Sequence, residues 1–277
     1  MWPKRPVYWT ENKTLYISVP FTWNLPEVRS KILQKSFFYN KVIVGGPAIQ
    51  LLPNYLADIE YVEIRDYYPN VLQKINPLAT RTTLGCVRKC KFCGIGQGKI
   101  EGEGFKELSD WPDLPIICDN NLLACSQVHF DKVMDRLEKW DVVDFNQGLD
   151  ARLLTDYHAE RLARLKKAII RLALDSMRYA EKWESALEKL LKAGIPKSRI
   201  RTYALIAFDS DPTEAWNRCE WIEQHGVMAL PMWFHELDAL EWNAVTEKQR
   251  ELGWNEKERT KIMGWYYKHR GQKGERK

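Results

Sequence analysis

Apolar and polar positions along the chain follow two periods in turn. TLYISVPF (14–21) is rich in β-branched and aromatic residues and predicts a strand. LPEVRSKILQKSFF (25–38) has helical spacing, with Pro26 in the first turn, where a missing N–H costs nothing. KVIVGGP (41–47) is a short apolar run closed by Gly45-Gly46-Pro47, a strand ending in a tight turn. Residues 1–75 are therefore expected to form a small β-α-β cap, too short for a complete nucleotide or cofactor domain.

From residue 76 the rhythm becomes regular. Strands are predicted at 80–85, 114–119, 142–147, 168–175, 199–208 and 226–234. Helices are predicted between them at 130–140, 155–167, 178–194 and 211–226. Leu187, Leu190 and Leu191 lie at i, i+3, i+4, and Gly194 follows as a C-cap. Strands alternating with helices imply parallel βαβ units with right-handed crossovers. Six of them predict an open, partial (β/α)6 barrel over 76–235, with its site at the C-terminal strand ends. Residues 236–277 read as a helical extension, DALEWNAVTEKQRELGW (238–254) first, ending in a basic tail.

Composition adds little until charge is located. The 277 residues are 45% hydrophobic and 29% charged, as in ordinary globular proteins. No apolar signal-peptide core and no run of eighteen apolar residues occurs, so no membrane association is expected. The net charge is +5, but residues 257–277 carry eight Lys or Arg against two Glu, a net +6. The body is therefore neutral. Trp265, Tyr266 and Tyr267 interleave with the tail's basic charge, a composition that suits phosphates and stacked bases. A solvated terminal helix is the plainer reading.

GCVRKCKFCGIG (85–96) changes the picture most. Cys86, Cys90 and Cys93 stand in C-x3-C-x2-C spacing at the end of the first predicted barrel strand. Thiolates suit zinc or iron–sulfur clusters, but a closed site of either kind takes four ligands. Three thiolates on a [4Fe–4S] cluster leave one iron to bind an external molecule. Gly85, Gly94, Gly96 and Gly98 give the loop freedom to wrap a cluster. Cys118, Cys125 and Cys219 show no paired spacing and read as small buried hydrophobes. With no disulfide framework, a reducing, cytoplasmic setting is expected.

Cys86-x3-Cys90-x-Phe92-Cys93, after the first strand of a six-strand βα rhythm, resembles the radical S-adenosylmethionine (SAM) superfamily. The resemblance covers roughly residues 76–235. It implies a radical SAM barrel in which Cys86, Cys90 and Cys93 hold a [4Fe–4S] cluster. The open iron of that cluster takes the amino and carboxylate groups of SAM. Reductive cleavage then gives a 5′-deoxyadenosyl radical that removes hydrogen from a substrate. It also implies a one-electron donor such as flavodoxin or ferredoxin. The barrel looks closest to the branch holding cobalamin-dependent enzymes and tRNA methylthiotransferases. VGGPAIQLLPNYL echoes the end of a cobalamin domain, but the region is too short for a corrinoid and lacks Asp-x-His-x-x-Gly. No cysteine precedes Cys86, which disfavours the methylthiotransferase activity.

Further contacts follow from the resemblance, strand by strand. The usual glycine-rich stretch after the second strand is replaced by Cys118-Asp119-Asn120-Asn121, where Asp119 or Asn120 can accept from the SAM ammonium. The same residues also read as a turn and N-cap. After the third strand come Asn146, Gln147 and Arg152, whose planar fork suits the SAM carboxylate. Arg171, within an apolar strand, is its rival and calls for a partner. Asp175-Ser176 resembles the Glu-Ser pair that holds ribose and methionine groups, one methylene shorter. Tyr203, Leu205 and Ala207 are expected near the adenine, or in the core. Cys125 and Tyr203 are the only radical-relay candidates. The substrate is unidentified, a nucleotide or nucleic-acid base being one candidate. The alternative is a non-catalytic zinc or iron–sulfur module that binds nucleic acid.

Overall fold

The computed structural model describes residues 5–35, 38–65 and 70–265. The chain is an α/β protein with parallel sheets, and it divides into two compact units. The first comprises Met1–Ala79, Gly85–Gly104 and His235–Trp242; the second comprises Thr80–Leu84, Phe105–Phe234 and Asn243–Lys277. The units cross the boundaries drawn from the sequence at 75/76 and 235/236. The cysteine segment groups with the first unit.

In the first unit, β1 (Val7–Glu11) and β2 (Thr14–Ser18) form an antiparallel hairpin. Its turn residues Asn12 and Lys13 both have positive φ, the twist that two-residue hairpins need. Helix α1 (Leu25–Lys35) then carries the chain to β3 (Lys41–Gly45), parallel to β2. After α2 (Pro47–Leu51), β4 (Val62–Ile64) adds in parallel, giving the order β1-β2-β3-β4. Val28 and Ile32 of α1 lie a turn apart and bury against Leu15, Ile17, Val42 and Val44. A short helix, α3 (Val71–Ile75), follows. β1 and β4 were not foreseen: each is half-buried and mixed in polarity, so neither shows a clean period.

The second unit holds a six-stranded sheet in the order β12-β11-β10-β9-β8-β5. The strands are β5 (Ala79–Thr80), β8 (Ile116–Ile117), β9 (Val143–Phe145), β10 (Ala168–Ala173), β11 (Ile200–Ile206) and β12 (Met228–Trp233). Pairing is parallel from β8 to β12. The row is open and does not close into a barrel. Between the strands run α4 (Gln127–Leu137), α5 (Asp156–Ala163), α6 (Ala180–Lys192) and α7 (Pro212–Gln224). Trp183, Ala186, Leu187 and Leu190 of α6 are buried, and Gly194 at φ 95° ends the helix as expected. Within β11, Ile200, Thr202, Ala204 and Ile206 are buried while Arg201, Tyr203 and Leu205 are half-buried. Register carries that second face to Arg171, Met228, Leu230 and Met232. The sheet thus has one sealed face and one less buried face.

The predicted first strand, 80–85, is a correction. Only Ala79–Thr80 joins the sheet. Asp119 draws the backbone N–H groups of Thr82 and Thr83 away from any ladder. The next strand, β6 (Thr83–Gly85), pairs instead with β7 (Phe105–Glu107) as a two-stranded ribbon. The helix expected over 238–254 is shorter: α8 (Glu247–Glu251) begins only at the Thr246–Gln249 capping box. Asn255 then caps α9 (Glu256–Met263). Gln249 is buried, and its amide donates to the carbonyls of Ala207 and Phe234.

Candidate functional site

The cysteine loop, residues 86–104, is an excursion between β6 and β7. At its neck, Cys86 N–H donates to Gly104 O at 3.0 Å. Gly85 N–H donates to the Glu101 carboxylate at 2.8 Å, and Glu101 N–H to Gln50 at 3.0 Å. Inside, Cys93 N–H meets Cys90 O, and Gln97 N–H meets Cys93 O, so the loop is a chain of tight turns. Gly96 is required there: a Cβ would stand 2.7 Å from Cys90 N. Cys86, Cys90, Phe92 and Cys93 are all half-buried. The sulfur of Cys86 accepts the backbone N–H of Arg88 at 3.4 Å.

Among the described residues, no three His, Cys, Asp or Glu side chains are placed to grip a single metal ion. A zinc site draws its ligands onto one point. A [4Fe–4S] cluster asks each thiolate for a different iron. Three half-buried sulfurs on a glycine-laced loop, with an N–H on one of them, suit either group by donor type. The other cysteines behave differently. Burial pushes the thiols of Cys118, Cys125 and Cys219 up to about 12, which keeps them protonated.

The strand-end residues nominated by sequence lie in the second unit, and most are already engaged. Asp119 is 2% exposed. Its carboxylate accepts from Thr82 N at 2.6 Å, Thr83 N at 2.8 Å and Thr82 Oγ1 at 2.6 Å. His129 Nε2 lies 3.2 Å from the same hydroxyl. Burial raises the pKa of Asp119, against the pull of these hydrogen bonds. Arg152 forms a fork with Asp150 at 2.7 and 3.0 Å and lies over the Tyr179 ring. Arg171 has its partner in Asp144 on the neighbouring strand, and burial lowers its pKa. Asn120 is half-buried and Gln147 exposed.

Asp175 stands apart. Burial pushes its carboxyl up to about 6, against the pull of Arg152 and Arg218 and with the push of Asp150 and Asp209. Asp175 thus lies in the field of Asp150, Arg152, Asp209 and Arg218. Ser176, half-buried, opens the turn after Asp175. Sequence reasoning missed Arg218. Its side chain is fully buried, donates to Asp175 O at 2.7 Å and pairs with Glu214. The Glu214/Arg218 spacing of four on one helix was the available signal. Tyr203 lies on the less buried face and donates to Asn146 O at 2.8 Å. Ala207 is fully buried at φ 64°, in the core rather than on that face. Trp265 is 3% exposed and packs on Trp216, so it offers no stacking surface. Tyr266, Tyr267 and the basic end lie outside the described residues.

No protein-family model matches the chain. No curated protein gives a significant match to it.

Proposed function

We propose that the chain is a radical SAM enzyme. The observation that carries the reading is the Cys86-x3-Cys90-x2-Cys93 triplet on a tightly turned, half-buried loop. Cys86, Cys90 and Cys93 would hold a [4Fe–4S] cluster. When bound, that group supplies the electron that cleaves SAM to methionine and a 5′-deoxyadenosyl radical. The fold supports the reading. Each strand from β8 to β12 adds beside its predecessor, and right-handed crossovers then put the connecting helices on one face. That winding is the one a partial (β/α)6 barrel uses.

Within the second unit, Asp175 and Ser176 keep their proposed role as SAM contacts, as do Asn120 and Gln147. An ionised Asp175 accepts hydrogen bonds from two ribose hydroxyls. Asp119, Arg152 and Arg171 are reassigned as residues that shape the strand ends, because their charges are met by the protein. A nucleotide or nucleic-acid base as substrate, a flavodoxin or ferredoxin as electron donor and a cytoplasmic location belong to the same proposal. No helix among the described residues is long and apolar enough to cross a membrane.

Anaerobic purification with metal analysis tests the reading. About four irons and four sulfides per chain, with 5′-deoxyadenosine formed on reduction in the presence of SAM, are expected. Cys90→Ala should remove both. One tightly bound zinc without iron or sulfide overturns the proposal in favour of the nucleic-acid-binding module.

A further inference from the structure

The less buried face of the six-stranded sheet carries a charge that the protein leaves unmet. Alternation and register put Asp144, Arg171, Arg201 and Tyr203 on that face. Arg171 is buried, and Asp144 on the neighbouring strand answers it. Arg201 lies in register with Arg171 on the strand beyond, and it is half-buried. Among the described residues it has no hydrogen bond and no ion pair. Within β9 to β12 the face therefore holds two guanidinium groups against one carboxylate. Burial chiefly lowers the pKa of Arg171, and the charge of Arg201 adds to that effect. Like charges side by side destabilise a sheet, and a half-buried charge without a partner costs more still. Packing alone calls for an apolar residue at this position. Further along β11 the same face carries Leu205, beside Leu230 and Met232 of β12, and Met232 is 48% exposed. From Arg201 to Leu205 is about 13 Å along the strand. The face thus runs from an unmet cation at the strand starts to an apolar, partly open end at the C-terminal ends.

We propose that this face holds the substrate and that the substrate is an organic acid, with its carboxylate or phosphate on Arg201 and its apolar body along Tyr203, Leu205 and Met232. The inference rests on the radical SAM reading and names a substrate class for it. The planar fork of an arginine pairs with either oxyanion through two parallel hydrogen bonds. Tyr203 is already set in place beside it. Its hydroxyl donates to Asn146 O at 2.8 Å, and its ring lies 3.5 Å from where a Cβ on Gly148 would stand. A ring fixed before the ligand arrives costs little ordering on binding. In the radical SAM reading the carboxylate of SAM goes to the open iron, so Arg201 is left for a different anion. With the acid group seated at the strand starts, the ligand presents the C–H bonds of its body at the C-terminal ends, where barrel sites lie.

The test uses the iron-loaded protein and two small acids, hexanoate and phenyl phosphate, with phenol as the neutral control. Binding is followed by titration calorimetry. Wild type should bind at least one of the acids at millimolar concentration and phenol far more weakly; the acid preferred tells carboxylate from phosphate. Arg201→Met should weaken that binding about tenfold or more, since a charge-assisted pair is lost. Arg201→Lys keeps the charge without the fork and should fall between the two. SAM affinity should be the same in all three proteins. Arg201→Met should melt no lower than the wild type, because it removes an unmet charge; a residue with a purely structural role would lower the melt. Failure of both acids to bind the wild type, or equal binding by Arg201→Met, overturns the proposal and leaves the enzyme reading standing. A loss of SAM affinity in Arg201→Met overturns it too, and assigns the arginine to SAM. Absence of iron from the wild type sinks the enzyme reading instead, whatever the acids do.

Discussion

The cysteine loop and the strand ends of the six-stranded sheet use polar groups in opposite ways. At the strand ends, charges are met by the protein: Asp119 by Thr82 and Thr83, Arg152 by Asp150, Arg171 by Asp144. In the loop, backbone hydrogen bonds hold the turns while three sulfurs stay half-buried and three lysines stay exposed. The contrast teaches which residues build the frame and which are kept for chemistry. A buried charge with a complete set of partners is a structural part, since removing one partner strands the others. A loop held in place by backbone hydrogen bonds, with its sulfurs half-buried, is what a binding loop needs.

The strongest way to break that comparison is Asp119→Ala. It strands two backbone N–H groups and a hydroxyl in a buried place, and should cost about 4 kcal/mol in a urea titration. A variant of near wild-type stability would return Asp119 to the ligand contacts.

This first case also shows how far the sequence could be read. The βα rhythm of 114–234 was legible because apolar strands and amphipathic helices differ in period, as at 168–175 and 178–194. The cysteine triplet was legible because its spacing is local. Pairing was not. Nothing local says that Asp119 serves Thr82, thirty-seven residues away, or that Arg171 faces Asp144 across a strand pair. Residues nominated for their chemistry were mostly right about charge and silent about who answers it. The split of 80–85 into two sheets was hidden for the same reason.

Asp175 sharpens the comparison, as a strand-end acid that, like Asp119, sits where burial disfavours its charge. Its carboxyl sits at about 6 in the folded chain, well above the ~3.9 of an ordinary aspartate. Between those values the folded state holds the proton more tightly, so stability falls as pH rises from about 4 to about 6. Asp175→Asn removes that loss and should stabilise the protein by about 2 kcal/mol at pH 7. Thermal melts across pH 4–8 check it; a variant that follows the wild-type pH profile refutes it. Under the proposed function the same variant binds SAM more weakly, so stability and binding move in opposite directions.

Gly96→Ala acts on the loop side. Its new methyl group meets Cys90 N, so the turn must shift, at about 1 to 2 kcal/mol confined to the loop. Faster labelling of Cys90 by iodoacetamide, with an unchanged global melt, is the expected result; an unchanged labelling rate counts against the tight turn. The smallest effect is expected at Asp110→Ala. Asp110 is an exposed partner of Arg136, and such pairs add little. Its melting midpoint should match the wild type within error.

One feature reaches into the making of the protein. The first unit is assembled from three separate stretches of chain, the last being His235–Trp242. The Thr22 hydroxyl donates to Ala239 O at 2.6 Å, a partner that comes 217 residues later. At roughly 5–20 residues per second, a ribosome needs on the order of ten to forty seconds to deliver it. For that interval the first-made part of the chain waits incomplete, and its final form is set by the last third to be translated.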